Sequence, residues 1–145
     1  MEEWHGYEKI KRIRDNEKDQ TELAFREAVA DFEQRAEQLY DLLKQKEDIE
    51  QAYKQSLSQS VPIETLRSYH QYLDFLTPSI ITLQQQVNQA RTKMQSLQER
   101  VAEDYIEVKK IDKLIEKKKV AFHQMEKRKE AFVMDEISLR QFMHR

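Results

Sequence analysis

The chain has 145 residues, 36% of them charged, with one Gly, two Pro, no Cys and a net charge of −2. A composition this poor in turn formers belongs to long helices, and the single glycine, Gly6, leaves no phosphate-cradling loop or nucleophile elbow. The missing cysteines exclude disulfides, thiolate zinc sites and thiol catalysis, and so small a net charge implies no bulk attraction to nucleic acid or membrane.

Residues 1–6 are expected to fray, with Trp4 serving either as a terminal cap or as a partner contact. The acidic start lacks the apolar core of a secretory signal, and no run of about eighteen apolar residues marks a transmembrane helix. A first helix is predicted over about 7–58. Ile10 and Ile13 open it, a polar stretch follows over 15–22, and then a seam at steps of three and four begins. Its members are Phe25, Val29, Phe32, Ala36, Leu39, Leu43, Lys46, Glu50, Tyr53 and Leu57. A helix of this length is stable only if such a stripe is covered.

The one turn signal is Ser58-Gln59-Ser60-Val61-Pro62, at about 58–62, with Ser60 or Val61 as the N-cap and Pro62 in the opening helical turn. A connection this short makes the flanking helices antiparallel neighbours.

The second helix, over about 63–140, carries the stronger seam. It reads Leu66, Tyr69, Leu73, Leu76, Ile80, Leu83, Val87, Ala90, Met94, Leu97, Val101, Asp104, Val108, Ile111, Ile115, Lys118, Phe122, Met125, Lys129, Phe132. Only Asp104, Lys118 and Lys129 are polar, the kind of interruption that sets register. The seam keeps phase across Pro78, which therefore reads as a kink or local break inside a helix rather than a boundary. The predicted fold is all-α: a single domain over 1–145 forming a long antiparallel two-helix coiled-coil hairpin, the second helix the longer.

With the turn centred near residue 60, each residue should lie opposite the one equally far beyond the turn. Phe25 then faces the neighbourhood of Leu97, Ile10 and Ile13 face Val108 and Ile111, and Trp4 reaches only to about residue 116. Up to about 30 residues of the second helix, about 45 Å, should project without an own-chain partner. They carry Phe122, Met125 and Phe132, which calls for a partner in another chain.

Charge is uneven. Residues 15–50 hold twelve acids and five bases, net −7, whereas residues 109–129 hold nine bases and three acids, net +6. Two readings are open: solvated faces pairing with each other, or a basic end addressed to an acidic receptor. Nothing in the sequence supports catalysis, a cofactor or a metal. The four histidines are scattered, and His123 with Glu126 lacks the converging donors that a bundle metal site needs. Nucleic-acid binding has no base-stacking platform, because Phe122 and Phe132 belong to the seam.

Three segments resemble the flagellar export protein FliJ family: Tyr7-Glu8-Lys9-Ile10-Lys11-Arg12-Ile13-Arg14-Asp15-Asn16-Glu17-Lys18-Asp19-Gln20, Leu66-Arg67-Ser68-Tyr69-His70-Gln71-Tyr72-Leu73 and Met134-Asp135-Glu136-Ile137. Each is weak alone; together and in this order they cover the whole chain. The resemblance implies a non-enzymatic component of the flagellar type III export apparatus, similar to the gamma stalk of rotary F-type ATPases. It implies a chain that is cytoplasmic and peripheral to the inner face of the cell membrane at the flagellar base, without direct membrane insertion. Its implied partners are the hexameric export ATPase, the membrane export gate and export chaperones, with no nucleic acid.

Carried onto this sequence, export-gate contact falls on Gln38, Leu42, Ile49, Tyr72 and Leu76. Gln45 and Leu83 depart from the family pattern. Leu42 and Ile49 read as lying beside the seam, free for a partner, whereas Leu76 is itself a seam residue. The end bearing both termini is implied to enter the ATPase ring, with Ile10, Ile13, Arg14, Lys118, Phe122 and Met125 as its contacts. Without the resemblance the residues support a coiled-coil interaction protein, and the stalk of a virulence-type secretion system or an unrelated scaffold remain alternatives.

Overall fold

The computed structural model describes residues 4–144. It contains two α-helices, α1 (His5–Leu57) and α2 (Ile63–Met143). The fold class is the predicted one, all-α with paired helices. Neither helix contains a glycine beyond Gly6, so nothing in the sequence interrupts propagation except Pro78. α1 begins earlier than expected. The Trp4 carbonyl accepts the Glu8 N–H at 2.9 Å, and Trp4 is only 6% exposed. The expected fraying therefore does not extend to Trp4–Gly6; residues 1–3 lie outside the described region.

At the other end of α1, the Ser58 hydroxyl donates to the Gln55 carbonyl at 2.8 Å, satisfying an acceptor that a helix end leaves open, and the Ser56 hydroxyl donates back to the Ala52 carbonyl at 2.8 Å. The loop to α2 needs no left-handed residue. The Pro62 carbonyl accepts the Thr65 N–H at 3.1 Å, so Pro62 itself occupies the N-cap position rather than Ser60 or Val61. α2 runs through Pro78. Pro78 and Asp74, whose carbonyl the proline deprives of its donor, are both exposed, and the seam residues Leu76 and Ile80 beside them stay buried. Beside it, the Thr77 hydroxyl donates to the Leu73 carbonyl at 2.8 Å.

The chain divides into two compact units. One is Glu22–Arg100, the turn unit; the other comprises the described residues of Met1–Thr21 and Val101–Arg145, the terminal unit. In the turn unit the α2 seam is as predicted, every member from Leu66 to Leu97 being buried or half-buried, and Leu76, 2% exposed, is its most enclosed side chain.

The α1 seam is shifted at Leu43, Glu50 and Leu57, whereas Val29 and Ala36 are half-buried as expected. Phe25, Phe32, Leu39, Lys46 and Tyr53 face α2 as expected. Between them, however, come Ala28, Arg35, Leu42, Ile49 and Ser56, so that Leu43, Glu50 and Leu57 are exposed. Periodicity could not distinguish these from their neighbours one residue on, because a step of three and a step of four fit a 3.6-residue turn equally well. Ala28 is buried, as is Ala90 on α2, where a larger residue would hold the helices apart. Arg35 spans the interface, its Nη1 donating to Gln86 Oε1 at 2.8 Å while its Nε is held by Asp31 at 3.1 Å.

Candidate functional site

In the terminal unit, α1 presents Tyr7, Lys11, Asp15, Lys18 and Thr21 to α2. This face is polar, and specific pairs hold it. Lys11 Nζ lies 2.7 Å from Asp112 Oδ1, and the Thr21 hydroxyl lies 2.7 Å from Asp104 Oδ2 and 2.9 Å from the Glu17 carbonyl. Asp104, expected to set register, does so by meeting a buried threonine. Lys18 sits 6.0 Å over the Tyr105 ring.

The unit's aromatic contact is at its end. Trp4 meets Phe122 edge-on, ring centroids 5.1 Å apart at 79°, with Lys119 Nζ 6.0 Å over the indole and 3.8 Å from Glu8. Two expectations are corrected here. Phe122 is half-buried and covered by its own chain, and Trp4 reaches residue 122 rather than about 116. Helical side chains lean toward their own N-terminus. In an antiparallel pair both leans displace the meeting point the same way, so residue partners fall later in α2 than a count of Cα positions gives. Phe32 with Arg91, Tyr53 with His70 and Lys11 with Asp112 show the same displacement; Gln45 with Tyr72 does not.

Ile10 and Ile13 do not face Val108 and Ile111. They are 41% and 52% exposed, because the phase fixed by Trp4, Lys11, Thr21 and Phe25 turns them outward. Of the other residues expected at an ATPase contact, Arg14 is exposed with Glu17 at 3.4 Å, Lys118 is half-buried and Met125 is exposed. From residue 127 to 144 every side chain is exposed, including Phe132 at 67% and Phe142 at 75%.

Among the residues expected at a gate contact, Gln38 and Tyr72 are on the surface of the turn unit, the Tyr72 hydroxyl 3.3 Å from Gln45 Oε1. Leu42 and Ile49 are half-buried members of the seam, which corrects their placement beside it, and Leu76 is core. Tyr40 and Phe75 are exposed aromatics of the same unit that sequence reasoning passed over, the Phe75 ring 6.3 Å from Tyr72. The signal was available for Phe75: it directly precedes a seam residue in a heptad that already has its apolar pair.

Among the described residues no three His, Cys, Asp or Glu side chains converge on a metal-sized site, and no helix is long and apolar enough to cross a membrane. The paired-helix geometry offers surfaces for other macromolecules. Residues 5–145 match the family described as Flagellar FliJ protein. The chain belongs to the flagellar FliJ family. The Flagellar FliJ protein of Bacillus subtilis (strain 168) is 35% identical over 137 residues, covering 94% of this chain and 93% of that protein. No solved structure matches. FliJ membership makes the chain a component of flagellar export, in a family that is not enzymatic.

The Lys11–Asp112 pair has a pH signature. Hydrogen bonding to Asp112 and its negative charge raise the Lys11 pKa above the ordinary 10.5. A lysine pKa raised on folding stabilises the fold fully below the unfolded value, and this contribution fades as pH rises through the folded value. Lys11 is 38% exposed, so solvent screening keeps the pair well under about 1 kcal/mol. Asp112→Asn should therefore lower the melting temperature slightly at neutral pH, and the gap to wild type should close as pH rises through the raised Lys11 pKa, as read by thermal melts across the alkaline range.

Proposed function

We infer that this FliJ-family chain works as a stalk-like protein of the flagellar export apparatus. Its terminal unit engages the hexameric export ATPase and raises its activity. Its turn unit engages the membrane export gate, export chaperones are further partners, and the chain is peripheral to the inner face of the cell membrane. The observation that carries the ATPase assignment is the helical segment 127–143. It is fully exposed, yet it bears Phe132, Met134, Leu139 and Phe142. At 100° per residue, Phe132, Leu139 and Met143 point one way, Val133 and Ile137 a second, Met134 a third and Phe142 a fourth. Charged residues lie among them, yet apolar groups exposed on several sides of one helix suit a partner that surrounds it, such as the lumen of a ring. Ile10, Ile13, Arg14 and Met125 are exposed and available to the same partner, whereas Phe122 and Lys118 are half-buried in their own unit.

Truncation after Glu126 tests this. It removes only exposed side chains and leaves Trp4 its cover, so the melting temperature should stay within about 2 °C of wild type. Stimulation of the export ATPase should be abolished. Full stimulation by the truncated chain would refute the assignment. For the gate, Tyr72→Ala should weaken binding at a fold cost below about 1 kcal/mol. Leu42→Ala and Ile49→Ala would confuse the two effects, because both residues belong to the seam.

A further inference from the structure

The block of nine bases over 109–129 is not spread around α2; it is sorted by face. At 100° per residue, Lys109, Lys110, Lys113, Lys117, Lys127 and Arg128 fall within one sector about 100° wide and about 28 Å long, on the side opposite seam residues Val108, Ile111 and Ile115. Between Ile106 and Ala131 the carboxylate nearest that sector is Glu116, about 20° beyond its edge, where it borders the same groove as Lys113, Lys117 and Val120. The bases outside it are engaged: Lys119 is bound to Glu8 at 3.8 Å, Lys129 to Glu126 at 4.0 Å, and Lys118 also has an interaction. Within the sector, Lys109 lies 4.9 Å over the Tyr105 ring and Lys110 reaches Glu107 at 3.4 Å. Among the described residues Lys113, Lys117, Lys127 and Arg128 have no carboxylate within ion-pair distance.

Flush with these four cations are the exposed apolar side chains of Ile106 and Val120. Unpaired cations with two exposed apolar groups among them, on one side of a helix, match an anionic surface with an apolar interior beneath it. We propose that this face of α2 is a docking stripe for anionic phospholipid headgroups.

The sidedness favours a bilayer over an enclosing protein. A plane touches one sector of a helix and leaves the rest, as this charge distribution does. A lumen touches every side, as the apolar residues of 127–143 require. The stripe also overrides the expectation from net charge: the chain is −2 overall, but a surface within a Debye length, about 10 Å at 0.1 M salt, responds to the face turned toward it. Lys127 and Arg128 belong both to this stripe and to the segment assigned to the ring, so bilayer and ring would compete for this end of the stripe.

The test is co-sedimentation of the full chain with vesicles of phosphatidylethanolamine and phosphatidylglycerol at about 3:1, against vesicles of phosphatidylcholine alone. The wild-type chain should partition onto the anionic vesicles only, and the association should fall steeply between about 50 and 500 mM salt. The variant Lys113→Gln, Lys117→Gln, Lys127→Gln, Arg128→Gln should lose at least about 100-fold in partition. An equal charge change elsewhere, Lys44→Gln, Lys54→Gln, Arg67→Gln, Lys93→Gln, should cost no more than about threefold. Glutamine keeps helix propensity at these exposed sites, and the wild-type salt dependence provides a reading that needs no variant.

Failure of the wild type to bind anionic vesicles, equal loss in both variants, or equal binding to phosphatidylcholine overturns the proposal. So does displacement from the vesicles by a short DNA duplex at matched phosphate concentration, which would mark general polyanion attraction. A stripe variant that keeps vesicle binding but no longer stimulates the ATPase would give the stripe to the ring instead.

Discussion

Leu76→Ala should destabilise the protein by about 2–5 kcal/mol, the range for emptying a well-packed leucine site. Leu76 is 2% exposed and is followed along the seam by Ile80 at 4%, so the deleted atoms leave a void that these neighbours must line. With only two helices in the turn unit, no further layer can move in to fill it. A companion series locates the seam of α1. Leu42→Ala should cost about 1–3 kcal/mol, as a half-buried seam residue, whereas Leu43→Ala, at 40% exposure, should stay within about 0.5 kcal/mol. The midpoint of urea unfolding followed by far-ultraviolet circular dichroism reads all three. A cost for Leu43→Ala as large as that for Leu42→Ala would place the seam through residue 43.

That comparison marks where sequence stopped determining structure. The α2 seam was legible to Phe122 because its apolar positions keep one phase over many turns, even where an apolar neighbour such as Phe75, Ile81 or Leu114 stands beside one of them. On α1 the decisive positions come as adjacent alternatives, Ala28 or Val29, Leu42 or Leu43, Ser56 or Leu57. Both members fit a helical period, and burial rather than spacing separates them: Ser56 is buried and Leu42 half-buried, while Leu43 and Leu57 are exposed, and Ala28 is more enclosed than Val29. Ile10 and Ile13 misled for a related reason. Apolar spacing identified a stripe, but the phase is set by larger anchors before and after it, Trp4 and Phe25. Charge was legible as a block along the chain and illegible as a surface until each base was assigned a face. Among the candidate contacts, Leu76 was recognised as core, while Tyr40 and Phe75 emerged only once their exposure was known.

Trp4→Ala should open the end of the terminal unit. Trp4 is the only tryptophan, so its emission reports on this one contact. In the wild type, 6% exposure and the edge-on Phe122 ring at 5.1 Å predict a blue-shifted band poorly quenched by iodide. Phe122→Ala should move the band toward that of free indole. An aromatic removed from a core costs about 3–5 kcal/mol. Here the cost is confined to the turns that the ring fastens, because the next pairs inward, Glu8 with Lys119 and Lys11 with Asp112, are exposed ion pairs that cannot hold a helix end alone. Amide hydrogen exchange over residues 8–12 should therefore accelerate by about 100-fold in Trp4→Ala, while exchange around Leu76 and Ile80 stays unchanged. Uncovered, Phe122 joins Met125 and Phe132 on the exposed apolar surface of α2. If the ring buries that surface, Trp4→Ala should stimulate the export ATPase at lower concentration than wild type does, because Phe122 no longer has to be freed from its own chain before it is engaged. A wild-type emission already at the free-indole position, or one that Phe122→Ala does not move, would show that the contact is not held in solution.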